Sequence, residues 1–231
     1  MTMTKNNGSI HVCIPACNEE EKVGDVVRGL RELELNLKVH VIDDGSVDAT
    51  RESAMKAGAI VVEHPVNLGQ WAALRTGFAI SLMEGADIMV SIDADGQHNP
   101  RDFRMLVEPI LNGEADIVIG SRFLNGDTPS MPRYRYVGIK IFNKLVQILT
   151  KKKLTDCLSG YKAYDVSMVR KIFPHLKEDQ YGALEFLVTA LRHEAKVIEK
   201  PVRMNSNSHS TKGKLRFGYN LLRTVIKQCF A

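Results

Sequence analysis

Two carboxylates and an amide stand at alternate positions in the segment DADGQ, as Asp93, Asp95 and Gln97. Oxygen ligands at this spacing can face one hard divalent cation, and Mg²⁺ binds through one or two carboxylates together with substrate phosphates. The segment therefore predicts a site for a divalent ion and a diphosphate. A capping Asp followed by a turn is the alternative interpretation, because Gly96 also suits a turn.

Similar polar clusters follow four of the predicted strands. They are PACNEE at 15–20, DDGSVDAT at 43–50, DADGQH at 93–98 and GSRF at 120–123. In an open α/β sheet, ligands bind outside the carboxyl ends of the strands. One cluster alone indicates little, but four clusters at the same edge predict a binding site.

The elements that position these clusters follow from the apolar patterning. Short apolar runs predict strands at 9–15, 37–43, 59–64, 86–93 and 115–120. Amphipathic runs predict helices at 19–34, from about 48, at 70–84, at 99–112 and at 136–149, with a loop at 123–135. Alternation of strands with helices predicts an α/β fold with a mostly parallel sheet. The strands lack polar alternation, so we expect helices on both faces.

Composition limits the class of protein. The length of 231 residues predicts a single domain over 1–231, and the change of composition after Arg122 divides it there. The chain is 44% hydrophobic and 25% charged, which excludes wholesale disorder. The net charge of +4 is too small for a dedicated nucleic-acid binder, so we expect no nucleic acid partner. No apolar run reaches the length of about 20 residues that spans a bilayer. The four cysteines are too sparse for a disulfide scaffold, and with no signal peptide this predicts a cytosolic protein.

Six ordered segments together resemble the family-2 inverting glycosyltransferases with the GT-A fold. They are IPACNEE, VIDDGSVDAT, NLGQWAALRTG, SIDADGQHNP, IGSRF and CLSGYKAY, and the match spans about residues 10–204. Within the family, the chain resembles the branch of dolichol-phosphate mannosyltransferases and polyprenyl-phosphate glycosyltransferases. The resemblance implies a Rossmann-like GT-A sheet. The basic amphipathic pattern at the end of the sequence predicts a C-terminal helical extension.

This resemblance implies sugar transfer from a UDP- or GDP-linked donor to a polyprenyl or dolichyl phosphate, with Mg²⁺ or Mn²⁺ as cofactor. Residues 9–122 would bind the nucleotide sugar, and residues 123–231 would form the acceptor side and tail. Transfer to a sugar hydroxyl of a glycan or lipid-linked saccharide is one alternative, and a non-catalytic nucleotide-sugar-binding protein is another. A nucleotidyltransferase is disfavoured because the first strand ends in an acidic segment and not in a basic, Gly-rich phosphate loop.

On the donor side, the resemblance implies a nucleotide pocket and a metal group. The residues implied to line the nucleotide pocket are Pro15, Ala16, Asn18, Glu19 and Asp93. Asp43 or Asp44 would accept a hydrogen bond from the base, with Asp44 preferred. Asp93, Asp95 and Gln97 match the metal group of the family, with Asp95 among the catalytic residues.

On the acceptor side, Arg122 matches a residue that meets the acceptor phosphate, and it is counted among the catalytic residues. Arg133, Arg135 and Lys212 are further candidates for that phosphate. Asp156 matches a segment near the donor phosphate and the acceptor, and it is the candidate base if the acceptor is a hydroxyl. The sequence departs from the branch at Gly96, where Leu is usual, at Gln70, where Lys is frequent, and in a degraded C-terminal signature at 205–213.

Two basic amphipathic stretches, 136–153 and 212–229, carry apolar side chains opposite Lys and Arg. This pattern is typical of a helix that lies on an anionic lipid surface. We therefore expect peripheral association with the inner face of the membrane. Homo-oligomer contact through the same apolar face is the alternative.

Overall fold

The computed structural model describes residues 8–124, 131–176 and 182–204. The strands are β1 (Ile10–Ala16), β2 (Leu37–Asp44), β3 (Ile60–His64), β4 (Ile88–Ser91), β5 (Ile117–Ser121), β6 (Lys162–Asp165) and β7 (Val197–Pro201). The helices are α1 (Val23–Arg31), α2 (Thr50–Lys56), α3 (Gln70–Met83), α4 (Phe103–Leu111), α5 (Arg133–Thr150), α6 (Val166–Ile172) and α7 (Gly182–Arg192).

The seven strands form one sheet in the order β3-β2-β1-β4-β6-β5-β7. Strand β6 pairs antiparallel with β4 and β5, whereas the other neighbouring strands pair in parallel. The predicted α/β fold with a mostly parallel sheet is therefore confirmed.

Helices cover both faces of the sheet, as the uninterrupted apolar strands predict. One buried apolar cluster joins the strands to α1, α2 and α4. The other joins them to α3, α5, α6 and α7 and contains stacked and edge-on contacts of Phe78 with Phe186 and Tyr164. The sheet is therefore packed between two layers of helices.

The sequence-based elements need several corrections. Helix α5 begins at Arg133, within the predicted loop, because Pro132 at its N-cap has a fixed φ and needs no donor there. Strands β6 and β7 and helix α6 were not predicted. Part of the predicted loop, together with Lys212 and the second basic stretch, lies outside the described residues.

None of the helices in the described ranges is both long enough and apolar enough to cross a membrane.

Candidate functional site at the carboxyl edge of the sheet

The antiparallel strand β6 determines which segments meet at this edge. Strands β1, β2, β4 and β5 end here, and because β6 runs the other way it begins here. Ser91, the last residue of β4, pairs with Lys162, the first residue of β6. The Ser91 hydroxyl also donates to the Gly160 carbonyl at 2.9 Å. The segment that leads into β6, with Asp156 and Gly160, therefore joins the four predicted clusters.

The carboxylates of Asp93 and Asp95 lie just beyond β4. Oδ1 of Asp93 accepts from Nε2 of Gln70 at 2.7 Å, and Oδ1 of Asp95 accepts from the backbone N–H of Gln97 at 3.0 Å. The Asp93 carboxylate packs directly on Gly160, leaving no room for a side chain there. The two carboxylates and the amide of Gln97 are oxygen ligands of the kind that a hard divalent cation prefers.

Arg122 and Asp156 form a buried ion pair next to these carboxylates. Nε and Nη2 of Arg122 each donate to one oxygen of Asp156 at 2.7 Å, and the backbone N–H of Arg122 donates as well. Asp156 is 0% exposed and Arg122 is 6% exposed. Burial works against the charge of Arg122, but the Asp156 carboxylate outweighs it and raises the pKa of the guanidinium.

Asp156 is held from its other side as well. The carboxylate of Glu199 accepts from the backbone N–H groups of Thr155 and Asp156, and the Asn143 side chain bonds the Thr155 carbonyl and the Cys157 N–H. Strand β7 and helix α5 thus fix the segment that carries Asp156. Glu199 and Asn143 were not found from the sequence, because their partners lie 44 and 12 to 14 residues away.

The Asp156 carboxylate is enclosed and bound by the Arg122 fork. A general base must reach the proton that it removes. In this geometry the Asp156 carboxylate orients Arg122.

Asp44 is already bound by several donors within the chain. Its carboxylate accepts from Nδ1 of His64 at 2.7 Å and from the backbone N–H groups of Leu68 and Gly69 at 2.9 and 2.7 Å. His64, which sequence reasoning did not select, also contacts the Thr76 hydroxyl on α3 at 2.9 Å. Asp44 therefore fastens the loop before α3 to the end of β2.

Asp43, by contrast, accepts through Oδ1 from the backbone N–H and the hydroxyl of Ser46, which are its only hydrogen-bond partners within the described residues. Both Asp43 and Asp44 are buried at the end of β2. Both therefore remain candidates to accept the hydrogen bond from the nucleobase of the donor.

The loops after β1 and β2 support each other. Asn18, in a left-handed conformation with φ of 54°, accepts from the backbone N–H of Val47 at 2.9 Å. The backbone N–H of Glu19 donates to the Thr50 hydroxyl at 2.8 Å. Pro15 and Ala16 form the end of β1 beside these loops. Four predicted pocket residues are thus brought together with the end of β2.

Two buried basic groups complete the surroundings of the carboxylates. His98 is 3% exposed, its ring lies 5.3 Å from that of Tyr161, and burial lowers its pKa although the Asp93 carboxylate opposes the shift. Nζ of Lys162 donates to the Cys157 carbonyl at 3.0 Å, and burial lowers its pKa too. Lys162 was missed from the sequence because it lies within the unpredicted strand.

Arg133 and Arg135 are exposed on the first turn of α5. The next turn packs on the residue after Arg122: the Tyr136 ring lies 5.7 Å from that of Phe123, and Lys140 lies over both rings. The helix thus attaches a cationic turn to the segment that carries Arg122.

The glycosyl transferase family 2 model matches residues 11–173. An uncharacterised protein of Methanocaldococcus jannaschii is 36% identical over 200 residues, covering 86% of this chain and 82% of the relative. The UDP-N-acetylglucosamine–dolichyl-phosphate N-acetylglucosaminyltransferase of Methanococcus voltae is 30% identical over 213 residues, covering 84% of each chain.

Two further proteins are similar over most of the chain. The polyprenol monophosphomannose synthase of Mycolicibacterium smegmatis is 29% identical over 200 residues, covering 83% of this chain and 75% of the relative. A crystal structure of glucosyl-3-phosphoglycerate synthase from Mycobacterium tuberculosis superposes with a TM-score of 0.74 at 22% identity, covering 96% of this chain and 80% of that one. The superposition establishes the shared fold.

Proposed function

Because this chain belongs to glycosyl transferase family 2, we propose that it moves a sugar from a UDP- or GDP-linked donor to a polyprenyl or dolichyl phosphate. The observation that carries the proposal is the placement of Asp93, Asp95 and the buried Arg122 at one edge of the sheet. The relatives named for transfer to dolichyl phosphate and for polyprenol monophosphomannose synthesis support a lipid phosphate acceptor.

In the proposed reaction, an oxygen of the acceptor phosphate attacks the anomeric carbon opposite the leaving diphosphate. The new carbon–oxygen bond forms as the bond to the diphosphate breaks, so the configuration inverts. A phosphate oxyanion is already a nucleophile and needs no general base. A hydroxyl acceptor would need one, and the enclosure of Asp156 therefore supports a phosphate acceptor over a glycan hydroxyl.

On the donor side, we assign Asp93, Asp95 and Gln97 to hold Mg²⁺ or Mn²⁺, which when bound neutralises charge on the diphosphate. The neighbour from M. tuberculosis has been crystallised with Mn²⁺ and uridine diphosphate, which supports this choice. The nucleobase of the donor would bind at Asp44 or Asp43, beside the loop of Asn18 and Glu19.

On the acceptor side, Arg122 would meet the phosphate through the part of its guanidinium that Asp156 does not bind. Arg133 and Arg135 would add charge-assisted hydrogen bonds from the first turn of α5. Residues 9–122 would then serve the donor, and residues 123–231 the acceptor, within a single domain.

We also propose that the chain works as a peripheral protein at the cytosolic face of the membrane. Tyr134, Val137, Ile141 and Ile148 form an exposed stripe at helical spacing on α5, each at least 50% exposed. Lysines on the same helix and directly after it accompany this stripe. An apolar stripe with flanking cations suits the headgroup region of an anionic bilayer.

The test is a panel of UDP- and GDP-sugars incubated with the full chain, a short polyprenyl phosphate and Mg²⁺ or Mn²⁺, with the lipid product identified by mass spectrometry. We expect one sugar to be added to the phosphate, and no product with the matching polyprenol. Transfer to a soluble glycan in place of the lipid phosphate would overturn the acceptor, and binding without turnover would favour a non-catalytic protein.

Asp95→Asn is the matched variant for the metal site, because it keeps the size of the side chain and removes one charge. Transfer should fall at least about a hundredfold, the scale for loss of one key electrostatic group, with little change in folding. Near-normal transfer in excess metal would contradict the assignment of Asp95.

A further inference from the structure

Three polar side chains meet at the opposite edge of the sheet from the candidate site: His11 near the start of β1, His40 on β2, and Glu84 directly after α3. Helix α3 begins with Gln70, which contacts Asp93, and its 14 residues cover about 20 Å. The cluster is therefore separated from the proposed donor site by the full length of a helix.

The two imidazoles of this cluster are buried without hydrogen-bond partners. His11 is 1% and His40 is 3% exposed, and their ring centroids lie 5.1 Å apart. None of the four ring nitrogens has a hydrogen-bond partner among the residues that the structure describes. Buried side-chain polar atoms are nearly always partnered, so two adjacent rings in this state indicate that the cluster binds a ligand of its own.

We propose that His11, His40 and Glu84 form a binding site for a transition-metal dication of the Zn²⁺ class. One ligand atom from each residue lies within 4.8 Å of the others, which side-chain rotation can bring to the bonds of about 2 Å that Zn²⁺ makes. Two imidazoles and one carboxylate are a borderline-soft donor set that suits Zn²⁺ or Co²⁺. The oxygen set of Asp93, Asp95 and Gln97 instead suits Mg²⁺ or Mn²⁺.

The protonation states and the access to the cluster fit this assignment. Burial lowers the pKa of both histidines, which keeps the imidazoles neutral, the form that ligates metals. The Glu84 side chain is 39% exposed and provides a route from solvent.

Lys38 opposes metal binding, because its Nζ donates to Oε2 of Glu84 at 2.7 Å. Glu84 has a second oxygen that can ligate while Oε2 keeps the lysine, but the ammonium still repels a dication. The proposal therefore predicts that substitution of Glu84 weakens metal binding, whereas substitution of Lys38 tightens it. A bound metal would connect β1, β2 and the end of α3, in a structural role separate from sugar transfer.

The test uses the full chain carrying Asp95→Asn, freed of metal by chelator dialysis and titrated with Co²⁺ while its visible absorption is followed. The Asp95→Asn background weakens the competing oxygen site. We expect one Co²⁺ per chain with the intense absorption of a tetrahedral site, displaced by Zn²⁺. Adding Glu84→Gln should weaken binding at least about tenfold, whereas Lys38→Ala should tighten it.

His175→Ala is the control, because His175 is exposed after α6 and is not a member of this cluster, so its loss should leave the titration unchanged. His40→Gln should abolish the absorption. If that variant fails to fold, Glu84→Gln, which changes an exposed side chain at a helix end, still decides the question. Absence of a stoichiometric absorption band, or a Co²⁺ affinity that Glu84→Gln leaves unchanged, would overturn the proposal.

Discussion

The Arg122–Asp156 pair can be compared with an exposed pair of the same kind. Asp156→Asn leaves Arg122 buried without its charge partner, so the free energy of unfolding should fall by about 3 kcal/mol. Asp25→Asn removes the partner of Arg28 in an exposed ion pair. It should lower the free energy of unfolding by at most about 1 kcal/mol. Urea denaturation measures both. Wild-type stability of Asp156→Asn would contradict this account of the pair. If Asp156 were also a base, its variant would in addition lose a limb of the pH–rate profile.

Gly160 is a residue at which one methyl group should affect the site. A Cβ there would overlap the Asp93 carboxylate, whereas a Cβ at Gly138 on α5 would meet nothing within 4 Å. Gly160→Ala should lower kcat/KM for the donor by about a hundredfold, the cost of a displacement near 1 Å. Gly138→Ala should leave kcat/KM unchanged and slightly raise stability. Equal kinetics for the two variants would mean that the position of Asp93 does not matter.

At the scale of elements, Asp44 connects strand β2 to the loop before α3. Asp44→Ala should weaken binding of the free nucleotide diphosphate by about 1.5–3 kcal/mol, the value of a hydrogen bond to a charged group. It should also lower the melting temperature, because His64 and two backbone N–H groups lose their acceptor. Calorimetry of Asp44→Ala and Asp43→Ala separates the candidates. If Asp44→Ala leaves the affinity unchanged and Asp43→Ala weakens it, Asp43 is the residue that binds the nucleobase.

The elements also show what sequence alone can and cannot predict. Strands β1 to β5 were recognisable because each is a short apolar run next to a predicted helix. The four residues of β6, KAYD, carry no such pattern. Their strand state depends on pairing with β4 and β5, which are distant in sequence. Asp156 and Arg122 were both selected from the sequence, but their pairing across 34 positions follows only from this antiparallel strand.

For the whole molecule, buried histidines predict a loss of stability in acid. Burial lowers the pKa of His11, His40 and His98. The unfolded chain therefore binds protons first as the pH falls below about 6.5, the ordinary histidine value. The free energy of unfolding should fall more steeply below that pH than above it, with each histidine adding at most about 1.4 kcal/mol per pH unit.

Urea denaturation from pH 8 to pH 5 measures this dependence. His40→Gln should flatten the slope, whereas His175→Gln, at an exposed position, should leave it unchanged. A stability that stays constant down to pH 5 would show that these rings are not held neutral by the fold.

The distribution of apolar and basic side chains over the molecule predicts how it meets a membrane. The stripe on α5 combines exposed apolar side chains with lysines, and each Lys or Arg near an anionic surface contributes about 1 kcal/mol. Such attraction is screened by salt, so co-sedimentation with anionic liposomes should be strong at low salt, weaker at high salt, and weak with neutral lipid.

Ile141→Ser with Ile148→Ser should reduce binding to anionic liposomes at every salt concentration, because apolar contact is lost. Met83→Ser, which removes an exposed apolar side chain from outside α5, should have no effect. Suppose instead that the chain ignores liposomes and forms dimers that Ile141→Ser dissociates. The stripe is then a contact between copies of the chain, and the lipid acceptor must reach Arg122 without help from α5.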